Sequence, residues 1–149
     1  MKKIYILAAA CALALAGCGK SSKKNDVSYK DGVYTAKSSE HINSGDETEG
    51  NGYGIVTITI ENGEITDCQF KTYELDGTLK DENYGKENGE IANKEFYNRA
   101  QKAMAACDEY ANQLVMKGDL DSIDVISGAT VNYDEFQEAA GEALAEAEE

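Results

Sequence analysis

The sequence contains no proline and no tryptophan, one histidine, and 14 basic side chains against 28 acidic ones. Each shortage excludes something. A formal charge of −14 argues against nucleic acid, whose phosphates are bound by Lys and Arg. It equally argues against the body of the protein adhering to anionic lipid. A lone histidine, His41, in a polar stretch has no Cys/His partner set for a metal. Average usage of about 5 % would place about seven prolines in a chain of this length. The 14 glycines must therefore make most of the turns. At 149 residues the length allows one domain, which buries enough surface to fold without disulfide or metal staples.

The first residues read as an address. Met1–Lys3 is basic, and Ile4 to Leu15 is an unbroken apolar run, too short to span a bilayer and suited to a signal-peptide core. It ends in Leu15-Ala16-Gly17-Cys18, which resembles the bacterial lipobox, where the cysteine is diacylated and becomes the new N-terminus. The expected organisation is a signal peptide over 1–17, lipidated Cys18 with a flexible tether over 18–28, and one domain over 29–149. Without residues 1–17 the chain loses Lys2 and Lys3 and no acid, which leaves 132 residues at −16. Several acyl chains hold a membrane stably where one does not, and Lys20, Lys23 and Lys24 would sit beside the head groups. Cys68 and Cys107 then remain, either as small buried hydrophobes or, outside the cytoplasm, as a permitted disulfide.

Along the domain, Tyr29 to Ser38 reads as a turn into a first strand, with Val33 and Ala36 or Tyr34 pointing inward. Ser39 to Gly52 is a polar, acidic loop. Val56, Ile58 and Ile60 alternate with Ile55, Thr57 and Thr59, a β-branched strand. Asn62-Gly63 follows as a two-residue hairpin turn, and the return strand runs from Glu64 to Tyr73. Ile65 and the pair Cys68/Phe70 have opposite parity, so the strand is covered on both faces or a bulge near Asp67 switches them. After a turn at Leu75-Asp76-Gly77 and a polar loop, Asn93 caps a helix that reaches Lys117 and is stopped by Gly118, with room in the pattern for a break near Asp108. Its apolar face is Phe96, Ala100, Ala103, Cys107, Ala111 and Leu114. Leu120, Ile123, Val125 and Ile126 form an apolar return. The last helix covers about Tyr133 to Ala147 and buries Phe136, Ala140, Ala143 and Leu144. Strands first and helices after predict an α+β fold: an antiparallel sheet with a central hairpin, packed against two or three helices.

Chemistry gathers at Asp124 to Tyr133. Small residues Ser127-Gly128-Ala129-Thr130 precede a helix start with Asn132 as its expected N-cap and Glu135 completing a capping-box-like pair. A helix start favours an anion, small residues admit a ligand to the backbone, and Ser127 and Thr130 add two hydroxyls. The same spacing also suits a plain tight turn.

The run Asp124-x-x-Ser127-Gly128-Ala129-Thr130 resembles the flavinylation motif of the FMN-binding domain family. That family includes covalent-flavin subunits of the Na⁺-translocating NADH:quinone reductase and Rnf complexes, and flavin lipoproteins of extracellular electron transfer. Lys30-Asp31-Gly32-Val33-Tyr34, Gly52-Tyr53-Gly54-Ile55-Val56-Thr57 and Asn62-Gly63-Glu64-Ile65 resemble lipoprotein members too. The likeness extends over about Tyr29 to Leu144. It implies FMN carried by a phosphoester to Thr130, installed from FAD by a bacterial flavin transferase using Mg²⁺. It further implies Asp124 in recognition by the transferase, and Ser127, Gly128 and Ala129 beside the phosphate. Among the nine tyrosines, Tyr53 (next to Gly54) and then Tyr84 are the candidates to wall the ring. Two departures stand out: Asn132 and Tyr133 replace the usual Ser or Thr after the motif, and a proline-free chain lacks the Glu-Thr-Pro-Gly loop of Rnf-type members.

The resulting expectation is a lipid-anchored flavoprotein on the extracytoplasmic face of the cell membrane. It would take electrons from a membrane quinol or flavin reductase and pass them to an external acceptor. No general acid, base or nucleophile constellation is visible, so a carrier is expected rather than a stand-alone enzyme. Two rivals remain: a lipoprotein that binds FMN or another phosphate ligand non-covalently, and a non-redox surface protein with a decayed site.

Overall fold

The computed structural model describes residues 27–44 and 50–149. Cys18, the signal peptide and most of the tether therefore lie outside the described residues. Among these residues, three strands make one antiparallel sheet in the order β1 (Gly32–Lys37), β2 (Tyr53–Glu61) and β3 (Glu64–Tyr73). Two helices, α1 (Lys94–Lys117) and α2 (Thr130–Ala147), follow, with a short 3-10 turn at Leu120–Ser122 between them. The result is the two-layer α+β arrangement that the order of elements predicts.

Alternation decides the inner face. Gly52, Gly54, Val56, Ile58 and Ile60 all point inward and are buried. Asn62 and Gly63 both take positive φ, 55° and 74°, as a tight two-residue hairpin requires. The β2–β3 register shifts between Thr59 and Ile60: Thr59 faces Asp67 and Ile60 faces Ile65, so Thr66 is the extra residue. This bulge lets Ile65 and the pair Cys68/Phe70 share a face despite opposite parity. On β1, Tyr34 and Ala36 pair with Ile58 and Val56 and turn inward. Val33 pairs with Thr59 on the other face and is 66 % exposed, contrary to the sequence expectation.

Helix α1 packs mainly on β3, and α2 on β1 and β2. Asn93 caps α1 by accepting from the Phe96 N–H at 3.0 Å, and Gly118 ends it in the left-handed conformation at φ 63°. It runs unbroken through Asp108. The shared core includes Phe70, Tyr110, Leu114 and Phe136 together with a stripe of alanines on α2. Cys68 and Cys107 are free and buried. Burial pushes their thiols up to about 12 and about 11.

The start of α2 differs from the sequence reading. The helix begins at Thr130 with Ala129 as its N-cap and no side-chain cap. Asn132 is already inside the first turn. Its amide donates to the Ala103 carbonyl at 3.2 Å and to Cys107 Sγ at 3.0 Å, tying α2 to α1. Glu135 makes no capping box; it is buried. Tertiary contacts with α1 have taken Asn132, and burial against β2 has taken Glu135, the two side chains that a local rule assigns to capping.

Candidate functional site

A cleft of about 590 Å³ opens where the two helix starts meet the β1–β2 and β3–α1 connections. Asn43 and Gly50 line it from the first connection, and Lys80 and Tyr84 from the second. The N-terminal half of α1 adds Phe96, Arg99 and Met104, and Gly128 to Asn132 close it. This volume lies within the usual range for a small-ligand or cofactor site.

Each wall is held in place by identifiable bonds. On the α2 side the buried Tyr110 hydroxyl accepts from the Ile126 N–H at 3.0 Å and donates to the Ala129 carbonyl at 3.1 Å. It thereby brackets the Ser127-Gly128 turn, where Gly128 takes φ +85°. On the loop side Gln101 donates to the carbonyls of Asp81 and Tyr84, both at 3.1 Å, and Tyr97 donates to the Glu82 carbonyl. Tyr84 accepts from the Gly50 N–H at 3.1 Å and meets Phe96 edge-on. The Lys80 side chain, only 6 % exposed, donates from Nζ to the Gly50 carbonyl at 3.2 Å and lies 5.1 Å from the Tyr84 ring centre.

Charge in this cleft runs against the charge of the molecule. Lys80 and Arg99 both line it, and Lys102 Nζ lies 3.9 Å from where a Cβ on Gly128 would stand. The first turn of α2 has neither a side-chain cap nor an acidic residue, so its backbone N–H groups and positive dipole end are uncompensated. Thr130 is exposed at this helix start. A phosphate group fits such a donor set.

Of the residues singled out in the sequence, Thr130, Gly128, Ala129 and Tyr84 come together in this cleft. Ser127 is exposed on the turn just before the lining residues. Asp124 is 85 % exposed, paired with Lys117 Nζ at 2.7 Å, and its backbone N–H donates to Gln113 at 2.8 Å. Tyr53 stands on the opposite face of the sheet, stacked on Tyr73 at 5.5 Å with Lys37 Nζ 3.7 Å from its ring centre. Gly54 faces inward, where a Cβ would come within 2.5 Å of the Phe70 ring and 3.2 Å of Glu135 Cβ. Lys80, Arg99 and Asn132 were not among the site candidates. Arg99 had a usable signal, being the only arginine in the chain, and guanidinium is suited to phosphate. Lys80 had none, because a lysine opening a polar loop reads as solvated.

Residues 49–145 match the sequence model of the FMN-binding domain. The chain belongs to the FMN-binding domain family, and the cleft belongs to a flavin-binding protein. The fold is similar to a Clostridium perfringens protein known from a crystal structure, at TM-score 0.57 and 21 % identity, covering 80 % of this chain and 88 % of that one. A Clostridium thermocellum protein known from a solution NMR structure is 26 % identical at TM-score 0.41, covering 78 % of this chain and 91 % of its own. No curated protein matches the chain.

Proposed function

We propose that this cleft holds FMN with its phosphate at the start of α2, joined to Thr130 as a phosphoester, and that the protein is a lipid-anchored extracytoplasmic electron carrier. One observation carries the reading: the exposed Thr130 stands at an uncapped helix start on the lip of a cleft lined by Lys80 and Arg99. In attachment, the Thr130 oxygen bonds to the FMN-side phosphorus of FAD. The pyrophosphate bond breaks, AMP leaves, and the hydroxyl proton passes to the flavin transferase or to water. Bound FMN supplies reversible electron transfer. The chain's own residues orient and retain it. Lys80, Arg99 and the α2 N–H groups neutralise the phosphate, and Tyr84 and Phe96 offer aromatic surface beside it. A covalent link suits a protein outside the cytoplasm, where a freely dissociating flavin would be lost.

The test is coexpression with a bacterial flavin transferase, followed by denaturing electrophoresis. Flavin fluorescence should travel with the wild-type band and vanish in Thr130→Ala. Flavin released on denaturation would favour the non-covalent reading, and flavin absent from both the native and denatured protein would sink the carrier. Anchoring is checked separately: Cys18→Ser should move the protein from the membrane fraction to the soluble one.

A further inference from the structure

Glu135 is the anomaly of the interior. It is 4 % exposed, and among the described residues neither carboxylate oxygen has a hydrogen-bond partner. Buried carboxylates are normally satisfied, because an uncompensated one is costly. Room has been cleared for it on the sheet side. A Cβ on Gly54 would crowd Glu135, and a Cβ on Gly52 would fall onto the Tyr73 carbonyl and within 2.8 Å of Lys80 Nζ. The two inward glycines on either side of Tyr53 thus admit a buried acid and a buried base.

The charged and titratable groups acting on Glu135 are few. Among the described residues, Lys80, from the β3–α1 connection, is the cation that acts on it. Cys107 faces it from α1. Asp134 and Glu138 share its own helix and oppose its charge, with Glu138 also bonded to the Ser39 hydroxyl. Strand β2 presents Gly54 to it, which carries no titratable group. Lys80 therefore faces two ways, lining the cleft while its charge draws Glu135 toward ionisation.

We propose that Glu135 sets how tightly the cleft holds an anion, by competing with the ligand's phosphate for the charge of Lys80. This rests on the reading that the cleft takes the FMN phosphate. When Glu135 is protonated, Lys80 is wholly available to the ligand; when it is ionised, part of that charge is already answered. Burial pushes Glu135 up to about 7, so the exchange falls near neutral pH. Lys80 is lowered by burial and held up by Glu135 and Glu74. By linkage, an anion at Lys80 must in turn raise the proton affinity of Glu135. The direction is diagnostic. A phosphate monoester gains charge as pH rises past about 6, so cations alone would bind FMN better at high pH.

The experiment uses the full chain prepared without flavin transferase, with FMN as the probe and flavin fluorescence as the readout. Wild type should bind FMN about tenfold more tightly at pH 5.5 than at pH 8.5, as for one unit of linked shift. Glu135→Gln should bind tightly at both and lose that preference, while Lys80→Met should bind weakly at both. Titration calorimetry of the wild type in buffers of different ionisation heat gives a readout independent of any variant's folding. It should show net proton uptake on binding at pH 7. If FMN binds but Glu135→Gln keeps the wild-type pH profile, or no proton is taken up, the role of Glu135 is overturned and the cleft reading stands. If no form binds free FMN at any pH, the competition for Lys80 is overturned, while the cleft reading is decided separately by the Thr130 fluorescence assay.

Discussion

At the scale of single residues, burial matters more here than residue type. Glu135 and Lys80 are a carboxylate and an ammonium in a protein whose surface is full of both, yet these two are inside. Burial raises Glu135 to about 7 from an ordinary 4.5. The folded state therefore binds its proton more tightly than the unfolded state does. Its contribution to stability is complete below about pH 4.5 and is lost as pH rises through about 7. The loss amounts to about 3 kcal/mol. Lys80, lowered by burial, works in the opposite direction but in a more alkaline window. Unfolding midpoints in urea should thus fall between pH 5 and pH 8 in wild type, by more than general charge repulsion removes. Glu135→Gln should flatten that difference. A variant whose midpoint falls as steeply as wild type would show that Glu135 does not titrate near neutrality.

At the scale of elements, the cleft is built by α1 holding two loops. Tyr110 reaches from the middle of α1 to bracket residues 126–129, and so sets where α2 begins. Tyr110→Phe keeps the ring that stacks on Phe136 at 5.8 Å but leaves the Ile126 N–H and the Ala129 carbonyl without that partner. A cost of about 2 kcal/mol in unfolding free energy is expected, with flavin attachment at Thr130 reduced in the fluorescence assay. Unchanged stability would mean that the turn holds itself. The same contact explains what the sequence could convey. Hairpin β2–β3 and helix α1 were legible because their signals are local: alternation, Asn62-Gly63, Asn93 and Gly118. The fold class followed from them. The start of α2 was not legible, because Tyr110, Ala103 and Cys107 lie at least nineteen residues away and redirect Asn132 from capping to bridging. The site was half legible for the same reason. The small-residue run leading into Thr130 is contiguous, whereas Lys80 and Arg99 join it only through folding. Val33, expected inward, faces outward, because on so short a strand only pairing with β2 decides the faces.

At the scale of the whole molecule, α2 separates the two ends of the proposed function. Thr130 opens the helix, and its other end is tied to the start of the domain. Tyr29 bridges Glu148, the Lys30 N–H donates to the Ala147 carbonyl at 2.8 Å, and the Ser28 carbonyl accepts from the Glu149 N–H. Eighteen residues of helix span about 27 Å. A chain anchored through Cys18 would therefore be held by the pole opposite the cleft. The domain's negative charge would be repelled by anionic lipid over about a Debye length, which favours the upright orientation over lying flat. The cleft would then face outward, toward soluble or extracellular partners, while a membrane donor would be reached only by tilting on the tether. Flavin fluorescence of the loaded lipoprotein in vesicles containing anionic lipid should accordingly be quenched by iodide in the medium and little affected by spin labels on the lipid head groups. Raising salt should increase the head-group quenching as the repulsion is screened. Strong head-group quenching at low salt would place the cleft at the membrane instead, and with it the electron donor rather than the acceptor.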